Sequence, residues 1–303
     1  MSRVTAAPVA SIAHAASGAI VLIGAANGIG AATAWRLASA GAGLVLADVE
    51  AGPLDRLAAS IRAAGGRAVA FPADVRDPDA LRRLRRFTLE TYGSLATVIN
   101  FAAVIRPAGI TETTTDDIRE QVDINLTGTM LVARAFIPYF RERRAGHLIT
   151  VASLGGLAPM PGESIYCATK FGVRGFSQSL ALELRGTGVA VSCVCPDSAD
   201  TRQLRAEARH DASTMAFTSP AMAADDVARA VARTVVRPRR EVLVPSPRGL
   251  LVRLLTSFPG VFALLYPMLD RLGRHGQARF RARVAGLAVC PIEEVAPSRP
   301  SSM

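Results

Sequence analysis

The chain has 303 residues, half of them hydrophobic, and a formal charge of +10, enough to bury one sizeable core. Its four cysteines, Cys167, Cys193, Cys195 and Cys290, are too sparse for a disulfide framework and suit a reducing cytoplasm, while His14, His147, His210 and His275 share no ligand spacing, so no metal site is expected. Between Arg237 and Arg283, ten arginines stand against Glu241 and Asp270, which places +8 of the charge in one C-terminal stretch without any zinc-finger, basic-zipper or RNA-binding motif and argues against nucleic acid.

Residues 1–17 lack the continuous apolar core of a secretory signal and read as a disordered tail. From residue 18 onward, aliphatic runs alternate with amphipathic segments. Strands are expected at 19–24, 43–48, 67–74, 95–100, 146–153, 189–196 and 241–245, and helices at 28–41, 53–64, 78–92, 115–142, 164–186 and 224–236. Within the third helix, "LRRLRRF" sets its apolar residues at helical spacing with arginines on a solvated face. This alternation predicts an α/β domain over 18–247, a doubly wound parallel sheet with helices on both faces. A hydrophobic and basic extension follows over 248–303, helical at first and disordered at its end.

The first strand runs into "GAANGIG", with Gly24, Gly28 and Gly30 spaced by Asn27 and Ile29. Glycines there permit a tight turn and close approach to a pyrophosphate at the next helix's N-terminus. Asp48, at the end of the second strand, is placed to accept hydrogen bonds from an adenosine ribose and to repel a 2′-phosphate. That favours NAD(H), although Arg36, Arg56 and Arg76 leave NADP(H) open; the plainer reading of Asp48 is a helix cap.

Lys170 is the single lysine among 35 basic residues, and it follows Tyr166 by four positions in a helical segment. The two side chains share a face, and an ammonium beside a phenol favours the phenolate, lowering the tyrosine pKa so that it can act as general acid and base. Arginine would not replace a compact point charge there. Ser153 at the end of the fifth strand and Asn125 in the long helix join this pair.

Together these residues resemble the short-chain dehydrogenase/reductase family over roughly 18–245: a glycine-rich turn, Asn100 ending the fourth strand, Asn125 in a helix, Ser153 thirteen residues before the tyrosine, and "YCATK". The resemblance implies a Rossmann-type sheet of about seven strands and hydride transfer between nicotinamide and a secondary alcohol or ketone. It makes Tyr166 the acid/base, Ser153 the hydrogen-bond donor to the substrate oxygen and Lys170 the holder of the nicotinamide ribose. Asn125 would support a water relay. Asp74 and Val75 fall at the adenine-contacting position, Asn100 and Ala102 beside the cofactor, and Pro196 and Thr201 where the carboxamide is positioned.

Three departures stand out: Ile23 where a threonine is common, Ala103 beside the cofactor channel, and Asp197 in place of a glycine. Cys193 and Cys195 read as small core residues. The extension, with Arg253, Pro259 and Pro267 interrupting its apolar run, fits a lid over a greasy pocket, a subunit contact, or peripheral membrane contact through 249–285. The expected partner is a lipophilic alcohol or ketone, and the expected assembly a homodimer or homotetramer. Two alternatives stay open: an NADPH-dependent ketoreductase of acyl thioesters, and a dinucleotide-binding scaffold without turnover.

Overall fold

The computed structural model describes residues 18–288. The expected tail over 1–17, and the end of the expected extension with Cys290, lie outside the described residues. Apolar runs become seven strands, the central ones buried on both faces and the edge strands β3 and β7 only in part: β1 (Ala19–Ile23), β2 (Gly43–Asp48), β3 (Arg67–Pro72), β4 (Leu95–Asn100), β5 (Gly146–Val151), β6 (Val189–Pro196) and β7 (Glu241–Val244). They pair in parallel in the order β3-β2-β1-β4-β5-β6-β7.

Ten helices flank the sheet among the described residues: α1 (Gly28–Ser39), α2 (Ala51–Ala63), α3 (Pro78–Tyr92), α4 (Thr115–Gln121), α5 (Gly128–Arg143), α6 (Ser164–Glu183), α7 (Arg202–Glu207), α8 (Ala224–Val236), α9 (Ser246–Thr256) and α10 (Pro259–Ala288). Successive strand residues point to opposite faces. Ile20 and Leu22 therefore meet Leu37 of α1, Leu54 of α2 and Val231 of α8, whereas Val21 and Ile23 belong to the layer holding Leu84 of α3 and Phe136 of α5. The chain winds outward from β1 to β3, then restarts on the other side at β4. The crevice this leaves beyond the strand ends is where open α/β sheets take ligands.

The single helix expected over 115–142 is broken. Val122–Thr127 widens into a π-helical segment between α4 and α5. Asn125 sits in it, and its side chain grips the backbone of Val104, as a local widening of this kind permits.

The extension forms α9 and α10, which fold back over the segment after β6. Phe280 packs on Phe217 with ring centroids 5.3 Å apart, and Gln277 Nε2 donates to the His210 carbonyl at 2.7 Å. A Cβ on Gly273 would lie 2.3 Å from the Thr214 carbonyl oxygen and one on Gly276 2.0 Å from that of Phe217, so only glycine allows this approach. Leu250, Leu254, Phe258, Leu264 and Met268 remain exposed on the outer side. No helix among the described residues is long and apolar enough to cross a membrane.

Candidate active site

A cavity of about 620 Å³ opens at the carboxyl ends of the strands, within the usual size of small-molecule sites. One end is built by the turn from β1 into α1. Gly24 and Gly28 hold φ of +76° and +55°, a Cβ on Gly24 would sit 2.6 Å from the Ala102 nitrogen, and one on Gly30 2.2 Å from the Gly24 carbonyl oxygen. The space a side chain would fill is thus taken by neighbouring backbone. Asn27 and Ile29 line the same end, and Asn27 Nδ2 donates to Glu50 at 2.6 Å.

Asp48 accepts from the Ala26 amide at 2.9 Å and the Glu50 amide at 3.1 Å, so its carboxylate ties this turn to the end of β2 while lining the cavity. Asp74 and Val75 complete the wall; Asp74 holds Arg76, whose guanidinium keeps that carboxyl below its usual range. Arg36 instead pairs with Asp225. A turn of glycines at a helix N-terminus with a carboxylate at the tip of the second strand fits a dinucleotide.

At the other end lie Ser153, Tyr166 and Lys170. Ser153 accepts from the Gly155 amide at 3.0 Å. Lys170 Nζ donates to the Val151 carbonyl at 3.0 Å and stands 5.6 Å from the centroid of the Tyr166 ring. Pro196 and Thr201 line the cavity between the two ends. Ala102 and Ala103 also line it.

Two expected residues do not reach the cavity wall. Asn100 donates to Thr129 Oγ1 at 3.0 Å and accepts from the Ala102 amide at 3.2 Å. Asn125 both donates to and accepts from the Val104 backbone at 2.8 Å, and also donates to Thr169 Oγ1 at 3.1 Å. Its hydrogen-bonding capacity is spent on clamping the loop after β4 to α6, which positions the site rather than touching it.

The expectation that Lys170 lowers the Tyr166 pKa is not met in this structure. Burial pushes the phenol well above its ordinary value, the charges of Glu207 and Glu163 push the same way, and only the Ser153 hydroxyl opposes them. Burial also presses Lys170 down, to about 8. Desolvation outweighs the helical adjacency because both groups are almost wholly enclosed.

Asp197 lines the cavity, where it pairs with Arg248 of α9 and accepts from Ser219 Oγ at 2.9 Å. Cys193 and Cys195 are unexposed, with sulfurs 3.8 Å apart in an apolar cluster with Leu154 and Val173.

Sequence reasoning passed over three acidic residues. Glu50 bridges Asn27 and Arg202 at the cavity rim. Glu163, directly before α6, and Glu207, ending α7, both line the cavity and are only 3% and 6% exposed. Burial raises Glu163 to about 7 and Glu207 to about 8, with the charge of Glu163 adding to the second. Glutamate spaced one turn ahead of the tyrosine was the available signal for the first; nothing local marks the second.

Because both carboxyls bind protons more tightly folded than unfolded, their stabilising effect is complete below the ordinary glutamate value and is lost as pH rises toward 8. Buried His147, held down to about 4, works in the opposite sense below its ordinary value of 6.5. Above that point the glutamates act without this opposition. The double variant Glu163→Gln, Glu207→Gln is therefore expected to lose less stability than wild type between pH 6.5 and 8, by on the order of 1 to 3 kcal/mol. Parallel thermal or denaturant unfolding series read this difference, and identical pH slopes would reject it.

The model of a family described as short chain dehydrogenase matches residues 18–212. A 1-deoxy-11-beta-hydroxypentalenate dehydrogenase of Streptomyces arenae is 41% identical over 195 residues, covering 62% of this chain and 69% of that protein. The 17-beta-hydroxysteroid dehydrogenase 13 of Homo sapiens is 30% identical over 247 residues, 80% of each chain. Among solved structures, a variant of the actinorhodin polyketide ketoreductase with NADPH superposes with a TM-score of 0.69 at 26% identity, covering 75% of this chain and 95% of the other.

Proposed function

The chain belongs to the short-chain dehydrogenase family, and from that footing we propose that it interconverts a lipophilic secondary alcohol and its ketone with a nicotinamide dinucleotide, NAD(H) by preference. The observation that carries this reading is the convergence of Ser153, Tyr166 and Lys170 on one end of a cavity whose other end is a glycine turn with Asp48.

A nicotinamide held between the glycine turn and Lys170 would supply the hydride acceptor or donor for the substrate carbon. In oxidation Tyr166 receives the hydroxyl proton, and in reduction it returns that proton to the carbonyl oxygen. Ser153 hydrogen-bonds the same oxygen. A phenol made reluctant to ionise by burial holds its proton until negative charge develops on a ketone oxygen. Once Tyr166 does ionise, the neighbouring ammonium of Lys170 stabilises the phenolate charge. Asn125 keeps α6 and the loop after β4 in register.

A greasy substrate agrees with what roofs the cavity. Leu251 and Leu255 of α9 and Phe262 and Leu269 of α10 line it, so the extension acts as a lid. The relatives named for a hydroxypentalenate and a hydroxysteroid agree with this class. The preference for NAD(H) rests on Asp48, and Arg76 is already engaged by Asp74.

The test is a panel of hydroxysteroids and other apolar secondary alcohols assayed with NAD and NADP in parallel. Turnover should appear with NAD, and Asp48→Ala should shift the NAD over NADP ratio of kcat/KM toward NADP by about tenfold or more. An unchanged ratio would reduce Asp48 to a turn-fastening residue, and no turnover across the panel would favour a scaffold.

A further inference from the structure

Beyond the reacting groups, the cavity wall holds a pair of acids that the redox chemistry does not use. Neither Glu163 oxygen, nor the buried Ser213 Oγ, has a hydrogen-bond partner among the described residues. Ser213 stands near enough to favour the ionised form of Glu163, yet the contact falls short of a hydrogen bond. Glu207 receives one donor, Gln203 Nε2 at 2.9 Å.

What is missing is a cation. Arginine is the commonest charge in this chain, and the described residues form seventeen ion pairs, none of which uses Glu163 or Glu207. Lys170, the basic residue nearest the reacting groups, is turned to the Val151 carbonyl. Buried carboxyls without a cation are costly unless protonated or paired, and a hydroxyl ligand offers only one hydrogen where an ammonium offers three. Met160, Met215 and Ala216 line the same cavity, and unbranched methionines can repack to admit a ligand.

We propose that Glu163 and Glu207 form an acidic recognition subsite in the substrate cavity that binds the ammonium of an amphiphilic amine, which makes the preferred substrate an apolar amino alcohol. The ammonium divides its hydrogens between the two carboxylates. The subsite rests on the dehydrogenase reading only in naming its ligand a substrate; its affinity for an amine does not depend on turnover.

Docking a cation displaces the protons the pair otherwise holds. The titratable groups beside the pair are Tyr166 and Cys167 of α6, both kept protonated by burial, the thiol being pushed up to about 12. Amine binding therefore strengthens as pH rises from about 6 to about 8, where a primary amine is still charged.

The experiment uses the full chain with NAD present and reads the unfolding midpoint with primary alkylamines from propyl to octyl against the matching alkanols. At pH 8 the best amine is expected to bind about thirtyfold more tightly than its alkanol. That advantage should shrink at pH 6 and vanish in Glu163→Gln with Glu207→Gln. Equal protection by amines and alkanols, or an amine advantage that survives the double variant, overturns the proposal. Amine protection without turnover of any alcohol would sink the dehydrogenase reading and leave the subsite standing, whereas turnover with no amine advantage does the reverse.

Discussion

Tyr166→Phe is expected to lower kcat by at least about a thousandfold while dinucleotide binding stays largely intact. The substitution removes one oxygen from a ring that is only 8% exposed and leaves its packing in place. In the proposed mechanism, what disappears is the proton that must move as the substrate carbon changes oxidation state. Because the phenol is pushed up by burial and by Glu207 and Glu163, the loss should be greatest in ketone reduction, where a protonated acid is required. Steady-state rates in both directions, beside dinucleotide titration by fluorescence, separate chemistry from binding. Retention of a tenth or more of wild-type turnover would remove Tyr166 from the mechanism.

Lys170→Arg keeps the positive charge yet is expected to cost about a hundredfold or more in kcat/KM. The side chain ends at the Val151 carbonyl in an interior where Gly156 packs so closely that a Cβ there would lie 2.8 Å from the Lys170 carbonyl oxygen. A planar guanidinium cannot reproduce the compact point charge that the ammonium sets at that carbonyl. Lys170→Met, similar in length but uncharged, distinguishes loss of the point charge from misfit: similar defects in both variants assign the role to the ammonium itself. An arginine variant with full activity would make the lone lysine incidental.

Much of the frame was legible because its signals are local. Uninterrupted aliphatic runs over 43–48, 95–100 and 189–196 coincide with β2, β4 and β6, and the "GAANGIG" turn needs glycine for reasons the backbone angles and close contacts bear out. The placement of Ser153, Tyr166 and Lys170 around one cavity follows from helical spacing and strand-end position. Other properties are not local. The π-helical widening around Asn125 depends on Val104 and Thr169, which are distant in sequence, so a continuous helix was the natural reading of 115–142. The direction of the Tyr166 shift depends on how completely the fold encloses it. Glu207 became visible only once α7 had been folded beside Glu163.

The placement of Gly273 and Gly276 on the carbonyls of Thr214 and Phe217 has an evolutionary consequence. The cavity's ceiling is written in a part of the chain that lies beyond the matched stretch of 18–212, while the nucleotide floor is written within it. Drift in α9 and α10 can therefore reshape the entrance without disturbing the groups that move hydride and proton. Selection for a new metabolite would find its raw material in α9 and α10, with the two glycines as the hinge pins that must be kept.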